Sequence, residues 1–167
     1  RVAVPPFVPQ DVERVQIAQG GILHRDLTAV TVKPATRGCV VAAGQLADPY
    51  TGQSISYRRG QSPALVNLDH VVSLGDSWQK GAQQLSADQR RNFANDPLNL
   101  LAVGQKTNAA KSDSDAATWL PPNRGFWCVY AARQIQVKAK YHLWVTTAEK
   151  AALDRIFTSC TRTGGTR

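Results

Sequence analysis

Methionine is absent from this 167-residue chain and cysteine is scarce, with three residues at positions 39, 128 and 160. Three cysteines close at most one internal disulfide. The pair to expect is Cys128 with Cys160, both in the C-terminal part that reads as helical, where closing the loop stabilises by roughly 3 to 4 kcal/mol. Cys39 is left over, either buried and unpaired or pairing between chains. No apolar run approaches the roughly 20 residues of a membrane-spanning helix, which removes membranes from the expected partners. Repeats are missing too, and biased composition is confined to "VPPFVP" at the start and "TRTGGTR" at the finish, both expected to be mobile. With no methionine and a start at "RVAVPPFVPQ", the start residue and anything upstream are expected to have been removed, as in a mature exported protein or a trimmed chain, and the expected place of action is outside the cell.

Acidic residues are outnumbered. Twenty Lys and Arg stand against twelve Asp and Glu, giving a formal charge of +8 and a pI near 9.8. That balance favours a polyanionic partner such as nucleic acid, although many small exported proteins are basic for solubility alone. Apolar residues make up 43% and charged residues 19%, as in globular proteins. A chain of this length buries about two-thirds of its unfolded surface, so one self-sufficient domain is expected.

Along the chain, residues 11–19 suit a short helix. "LTAVTV" (27–32) and "CVVAAGQL" (39–46) carry the β-branched and apolar residues of strands. "DPYTG" (48–52) is a turn with Pro second and Gly last, joining that strand to "SISYRRG" in a hairpin. "ALVNLDHVV" (64–72) reads as a buried strand. Ser86 with Gln89 marks a capping box and a helix over 86–96 that Pro97 stops. A short strand over 98–103 and a helix over 105–113 come next. Helices over 125–142 and 147–160 complete the chain, the last with a second capping box from Thr146 and Glu149. Strands early and helices late predict an α+β fold, with an arm over 1–24, a single domain over 25–160 and a tail over 161–167.

One segment does not fit a plain strand. In "NLDHVVSLGDSW" (67–78) an acid and an imidazole, Asp69 and His70, sit within the apolar run, so they either serve structure or do chemistry. The order is then strand with Asp69-His70, an excursion with one helix, strand with Asn99, and helix with Asn108 and Lys111. A hairpin crossed by a helix would bring these residues together over about 64–113. Asp69 and Asn108 offer oxygen donors there, and His70 offers a base that is neutral near pH 7.

"DHVV", "NDPLNLLAV" and "NAAK" in this order resemble the HNH endonuclease motif. With "DPYTG", "RRGQ", "WQKGAQQL" and "DAATWLPPN" added, residues 25–160 resemble the small secreted bacterial HNH nucleases related to the C-terminal domain of GmrSD-type restriction enzymes. The resemblance implies a ββα-metal (HNH, or His-Me finger) core with an N-terminal β-hairpin and C-terminal helices. It implies a metal-dependent, largely sequence-nonspecific DNA endonuclease that leaves 5′-phosphate and 3′-hydroxyl ends, with RNA as the other candidate substrate. His70 would be the general base, Asn99 would brace the loop carrying it, and Asp69 and Asn108 would hold one divalent ion. Oxygen donors favour Mg²⁺, with Mn²⁺ as the alternative. Lys111, one turn after Asn108, and Arg58 and Arg59 would contact phosphate. A monomer that needs no protein partner is expected.

Plainer roles compete for several residues. His24 and His142 belong to no pattern and read as structural. Asp113 and Asp115 suit helix capping better than metal ligation. Trp78, Trp119, Trp127 and Trp144 suit the core or an interface better than base stacking. Relatives of this type would carry a further Cys near the N-terminus where this chain has Gln10-Asp11, so a partner for Cys39 is in doubt. Two other readings stay open: a toxin or restriction-type nuclease with a protein partner, and a basic nucleic-acid-binding module whose catalytic residues have lapsed.

Overall fold

The computed structural model describes residues 20–163. After a helical stretch over 20–26, five strands and five further α-helices follow in the order β1 (Leu27–Val32), β2 (Val41–Ala47), β3 (Ser54–Arg58), β4 (Val66–His70), α1 (Leu74–Gln79), α2 (Ala87–Asn95), β5 (Leu100–Gly104), α3 (Gln105–Lys111), α4 (Trp127–Lys140) and α5 (Thr147–Thr163). The strands form two antiparallel sheets, β1-β2-β3 and β4-β5. This is the α+β class that the sequence predicts; the helix expected over 11–19 lies outside the described residues.

Local chemistry accounts for the hairpin. In "DPYTG" the Asp48 carboxylate accepts from the Tyr50 amide at 3.1 Å and the Thr51 hydroxyl at 2.6 Å, while the Gly52 amide donates to the Asp48 carbonyl at 2.7 Å. Gly52 takes φ +76, which glycine adopts without steric cost. The tight turn sets the β2-β3 register from Ala47 opposite Ser54 to Ala43 opposite Arg58. It also drives Tyr50 inward, where the side chain is fully buried against Trp119, Phe126 and Tyr130.

The β4-β5 pair joins two apolar clusters. Leu101 and Val103 pack with Tyr50, Val71, Tyr130, Leu153 and Ile156 toward α4 and α5. Val66 and Ala102 pack with Leu23, Leu27, Val41 and Leu46 toward the three-stranded sheet. All of β5 is buried, so its outer edge needs polar cover. Arg25 donates to the Leu100 and Pro97 carbonyls at 2.8 Å, and Asp26 accepts from the Ala102 amide at 2.9 Å. Ile22 and Leu23 are buried as well, so residues 20–24, expected in an arm, belong to the folded body, and α5 runs on into the expected tail.

α2 begins as the sequence predicts, with the Ser86 hydroxyl on the Gln89 amide and the Gln89 side chain on the Ser86 amide. The Thr146-Glu149 box is only half formed. The Thr146 hydroxyl accepts from the Glu149 amide at 3.1 Å, but the carboxylate turns into the protein to meet Lys80 at 2.7 Å and Lys138. Lys80 also pairs with Asp76 and Asp115, both at 2.7 Å, and Lys138 with Asp76 at 2.9 Å. Burial opposes the Lys80 ammonium, yet the three carboxylates outweigh it and raise its pKa. This network ties α1 to α4, α5 and the 115–118 turn. In that turn Asp115 caps the Ala117 and Thr118 amides at 3.0 and 3.2 Å; Asp113 caps nothing.

Cys128 and Cys160 are bonded, with Cα atoms 6.0 Å apart across a separation of 32 residues, and Cys39 is exposed and unpaired. A Cys128→Ala/Cys160→Ala protein should unfold with about 3 to 4 kcal/mol less stability in urea; an unchanged midpoint would show that the α4-α5 packing alone holds the helices together. Trp119 and Trp127 pack on the first cluster, Trp78 lies under Arg90 at 5.6 Å, and Trp144 is half exposed beside Gly81. His24 bonds to the Gly38 carbonyl at 2.7 Å, a structural contact.

Candidate active site

Two antiparallel strands followed by a helix bring the central polar residues into one place. β4 pairs with β5 from Val66 opposite Gly104 to His70 opposite Leu100, and α3 starts directly after β5. A cleft of about 310 Å³ opens beside them, lined by Asp69, His70, Ser73, Asn108 and Asp113 among others.

His70 is held by its far nitrogen. Nε2 lies 2.8 Å from the Ala94 carbonyl, one of the carbonyls that the end of α2 leaves without a helical partner. A carbonyl only accepts, so Nε2 carries the proton and Nδ1 keeps its lone pair. Burial lowers the His70 pKa from 6.5, outweighing the Ala94 bond and the Asp69 charge that favour the cation. The ring is therefore neutral at pH 7, with one nitrogen available as a base.

The backbone after His70 is held on both sides by hydrogen bonds. The Val71 amide donates to the Asn99 carbonyl at 2.8 Å, and Gln134 donates to the Val71 carbonyl. The Asn99 side chain accepts from the Val72 amide at 2.8 Å and donates to the Val72 carbonyl at 3.2 Å. Asn99 is fully buried, so it sits where it braces the His70 loop and does not face the cleft. Asn99 is itself placed by Asp96, whose carbonyl takes the Asn99 and Leu100 amides and whose side chain takes the Leu98 amide.

Burial works against the Asp96 carboxylate, but Lys140 at 2.6 Å, the Leu98 amide and the Tyr141 hydroxyl outweigh it and hold its pKa below 3.8. A depressed folded-state pKa adds stability that is complete above the unfolded value and vanishes as pH falls through the folded one. Asp96→Asn should therefore be less stable than wild type at neutral pH, with the gap closing as pH drops below 3.8. Urea midpoints across that range check this; a constant gap would exclude the carboxylate charge as its source.

Asp69 is almost wholly buried at 4% exposure. One oxygen accepts from Lys111 Nζ at 2.9 Å, and the other accepts from the Tyr50 hydroxyl. Burial raises the Asp69 pKa, and Lys111, Tyr50 and His70 offset this only in part. Lys111 is itself fully buried and also donates to the His70 carbonyl at 2.8 Å. The expected phosphate contact is thus corrected: an ammonium without solvent access, spent on Asp69 and His70, is a brace beneath the site. Arg58 and Arg59 do not line the cleft either. Arg58 is exposed at the end of β3, and Arg59 donates to the Val41 carbonyl at 2.7 Å.

Sequence reasoning missed Tyr50 and Gln134 as supports. A Tyr inside a turn of small polar residues was the one available signal for the first; nothing in the helix pattern marks the second. Apart from the His70 nitrogen, the ligating atoms of Asp69, Asn108 and Asp113 along the cleft are oxygens. Each Asp69 oxygen accepts one hydrogen bond and keeps a second lone pair, the Asn108 side chain makes no hydrogen bond, and Asp113 stands at the mouth. This set fits a hard divalent cation, although among the described residues no three His, Cys, Asp or Glu side chains form a metal-holding group.

Residues 20–156 match the family described as GmrSD restriction endonucleases, C-terminal domain. The chain belongs to that family, which places it with nuclease-type proteins related to restriction endonucleases. It is 38% identical over 141 residues to an uncharacterized secreted protein of Arthroderma benhamiae, a match covering 83% of this chain and 65% of that protein. The chain thus spans less than two thirds of the length of this relative. No solved structure matches, and among the described residues no helix is long and apolar enough to cross a membrane.

Proposed function

We propose that this protein is a metal-dependent HNH endonuclease with a ββα-metal core, cutting DNA with little sequence preference and leaving 5′-phosphate and 3′-hydroxyl ends. The observation that carries the reading is His70, anchored through Nε2 to the Ala94 carbonyl and lining one cleft with Asp69 and Asn108, with burial lowering its pKa so that Nδ1 is left as the base. Nδ1 takes the proton from the attacking water, a step worth about 10²- to 10⁴-fold. Lys111 and Tyr50 hold Asp69, and Asn99 and Gln134 hold the loop, so the base keeps its aim. Asp69 and Asn108 would hold one divalent ion, Mg²⁺ or Mn²⁺, which supplies positive charge to the scissile phosphate and the departing 3′ oxygen. The +8 charge supports backbone contacts that ignore sequence. The protein acts as a monomer outside the cell, in keeping with the relative's name and with a disulfide that suits an oxidising compartment.

Supercoiled plasmid incubated with the protein in Mg²⁺ should be nicked and linearised, and EDTA should abolish the cutting. Plasmid that stays intact in Mg²⁺, Mn²⁺ and Zn²⁺ while still shifting on a gel would make the protein a binder without catalysis.

A further inference from the structure

Every other Asp and Glu side chain among the described residues accepts a hydrogen bond or pairs with Lys or Arg. Asp113 does neither. In a chain with twenty cations, a carboxylate left single is unusual, and this one is on the wall of the cleft that holds His70 and Asn108. The chain makes room for it: a Cβ on Gly75 would meet the Asp113 carboxylate at 2.5 Å, and the three nearest atoms to that Cβ all belong to Asp113.

The cleft wall carries no Lys or Arg. Lys111 lies behind Asp69 and balances it alone, so Asp113 leaves the lining net negative. Such a surface repels a phosphodiester at contact range. A cation from solution reverses the sign. Among the described residues no three His, Cys, Asp or Glu side chains form a metal-holding group, so these side chains alone do not enclose a bare ion. Mg²⁺ commonly keeps several of its waters and takes only one or two carboxylates.

From this we propose that Asp113 is a positioning residue for the divalent ion, accepting hydrogen bonds from its water shell at the mouth of the cleft. The proposal rests on the metal-dependent reading above and adds a residue that reading does not use. The plainer role is a charge beside the first turn of α1, which would affect stability but not metal uptake.

Calorimetric titration of Mn²⁺ into DNA-free protein separates the two. Asp113→Asn should bind Mn²⁺ about tenfold or more weakly, the usual cost of losing an outer-shell partner. Gly75→Ala, which displaces the carboxylate without removing it, should weaken binding in the same direction. Asp154→Asn, an equal charge change at the exposed Lys150 pair on α5, should leave affinity unchanged. Cleavage by Asp113→Asn should recover at high Mn²⁺. Equal Mn²⁺ affinity for wild type and Asp113→Asn, with or without a stability change, overturns the proposal while a cutting wild type leaves the nuclease reading standing. A wild type that neither takes up Mn²⁺ nor cuts plasmid would remove both.

Discussion

The His70→Ala protein should still bind DNA in EDTA as wild type does, yet cut it at least about 100-fold more slowly in Mg²⁺. The size of the loss follows from how the ring is held. Nε2 is committed to the Ala94 carbonyl, so Nδ1 is the one nitrogen that can receive a proton, and the lowered pKa keeps it unprotonated at neutral pH. Asp69 is not free to replace it, because its oxygens are held by Lys111 and Tyr50 and their remaining lone pairs are, in the proposed reading, taken by the metal ion. Nicking rates and gel shifts on the same preparations decide the point. Undiminished cutting would remove His70 from the chemistry, and a parallel loss of binding would recast it as a contact residue.

Lys111→Met should cost about 3 to 5 kcal/mol of folding stability, the range for stripping one partner from a buried ion pair. Asp69 would be left charged, or forced to take a proton, at a site 4% exposed, and the His70 carbonyl would lose its donor. Adding Asp69→Asn should return part of that loss, since the unpaired charge is gone. Urea unfolding of the single and double variants tests this. A loss below about 1 kcal/mol, typical of exposed pairs, with weaker DNA binding, would mean that the ammonium reaches solvent and phosphate after all. Neither variant should cut DNA, because each disturbs the carboxylate that the proposed metal needs.

What could be read from the chain divides along a physical line. Elements written in local chemistry were legible: the strands by their β-branched runs, the "DPYTG" turn by Pro and Gly, and α2 by Ser86 and Gln89. The cluster of Asp69, His70 and Asn108 was legible through order along the chain, which a hairpin and a crossing helix convert into proximity. Partner choice over long separations was not. Glu149 satisfies the capping-box pattern, yet its carboxylate finds Lys80, 69 positions away. Lys111 has the spacing of a surface cation, and its burial depends on how α3 seats against β4. Asp113 and Asp115 look equivalent in "KSDSDAATW", but Asp115 turns to a cation and two amides while Asp113 lies unpaired on the cleft wall beside Gly75.

The charges shared by Lys80, Lys138, Asp76, Asp115 and Glu149 also bear on cooperativity. Apolar helices can slide past one another at modest cost, but a buried charge shifted off its partner is penalised by several kcal/mol, so α1, α4 and α5 dock in one register or not at all. The loop that aims His70 runs straight into α1. Opening of the C-terminal helices and loss of the proposed site's geometry should then be one event, seen as a shared hydrogen-exchange rate for the amides of α1 and α5. A chain built this way has no half-folded state in which the proposed catalytic residues remain assembled.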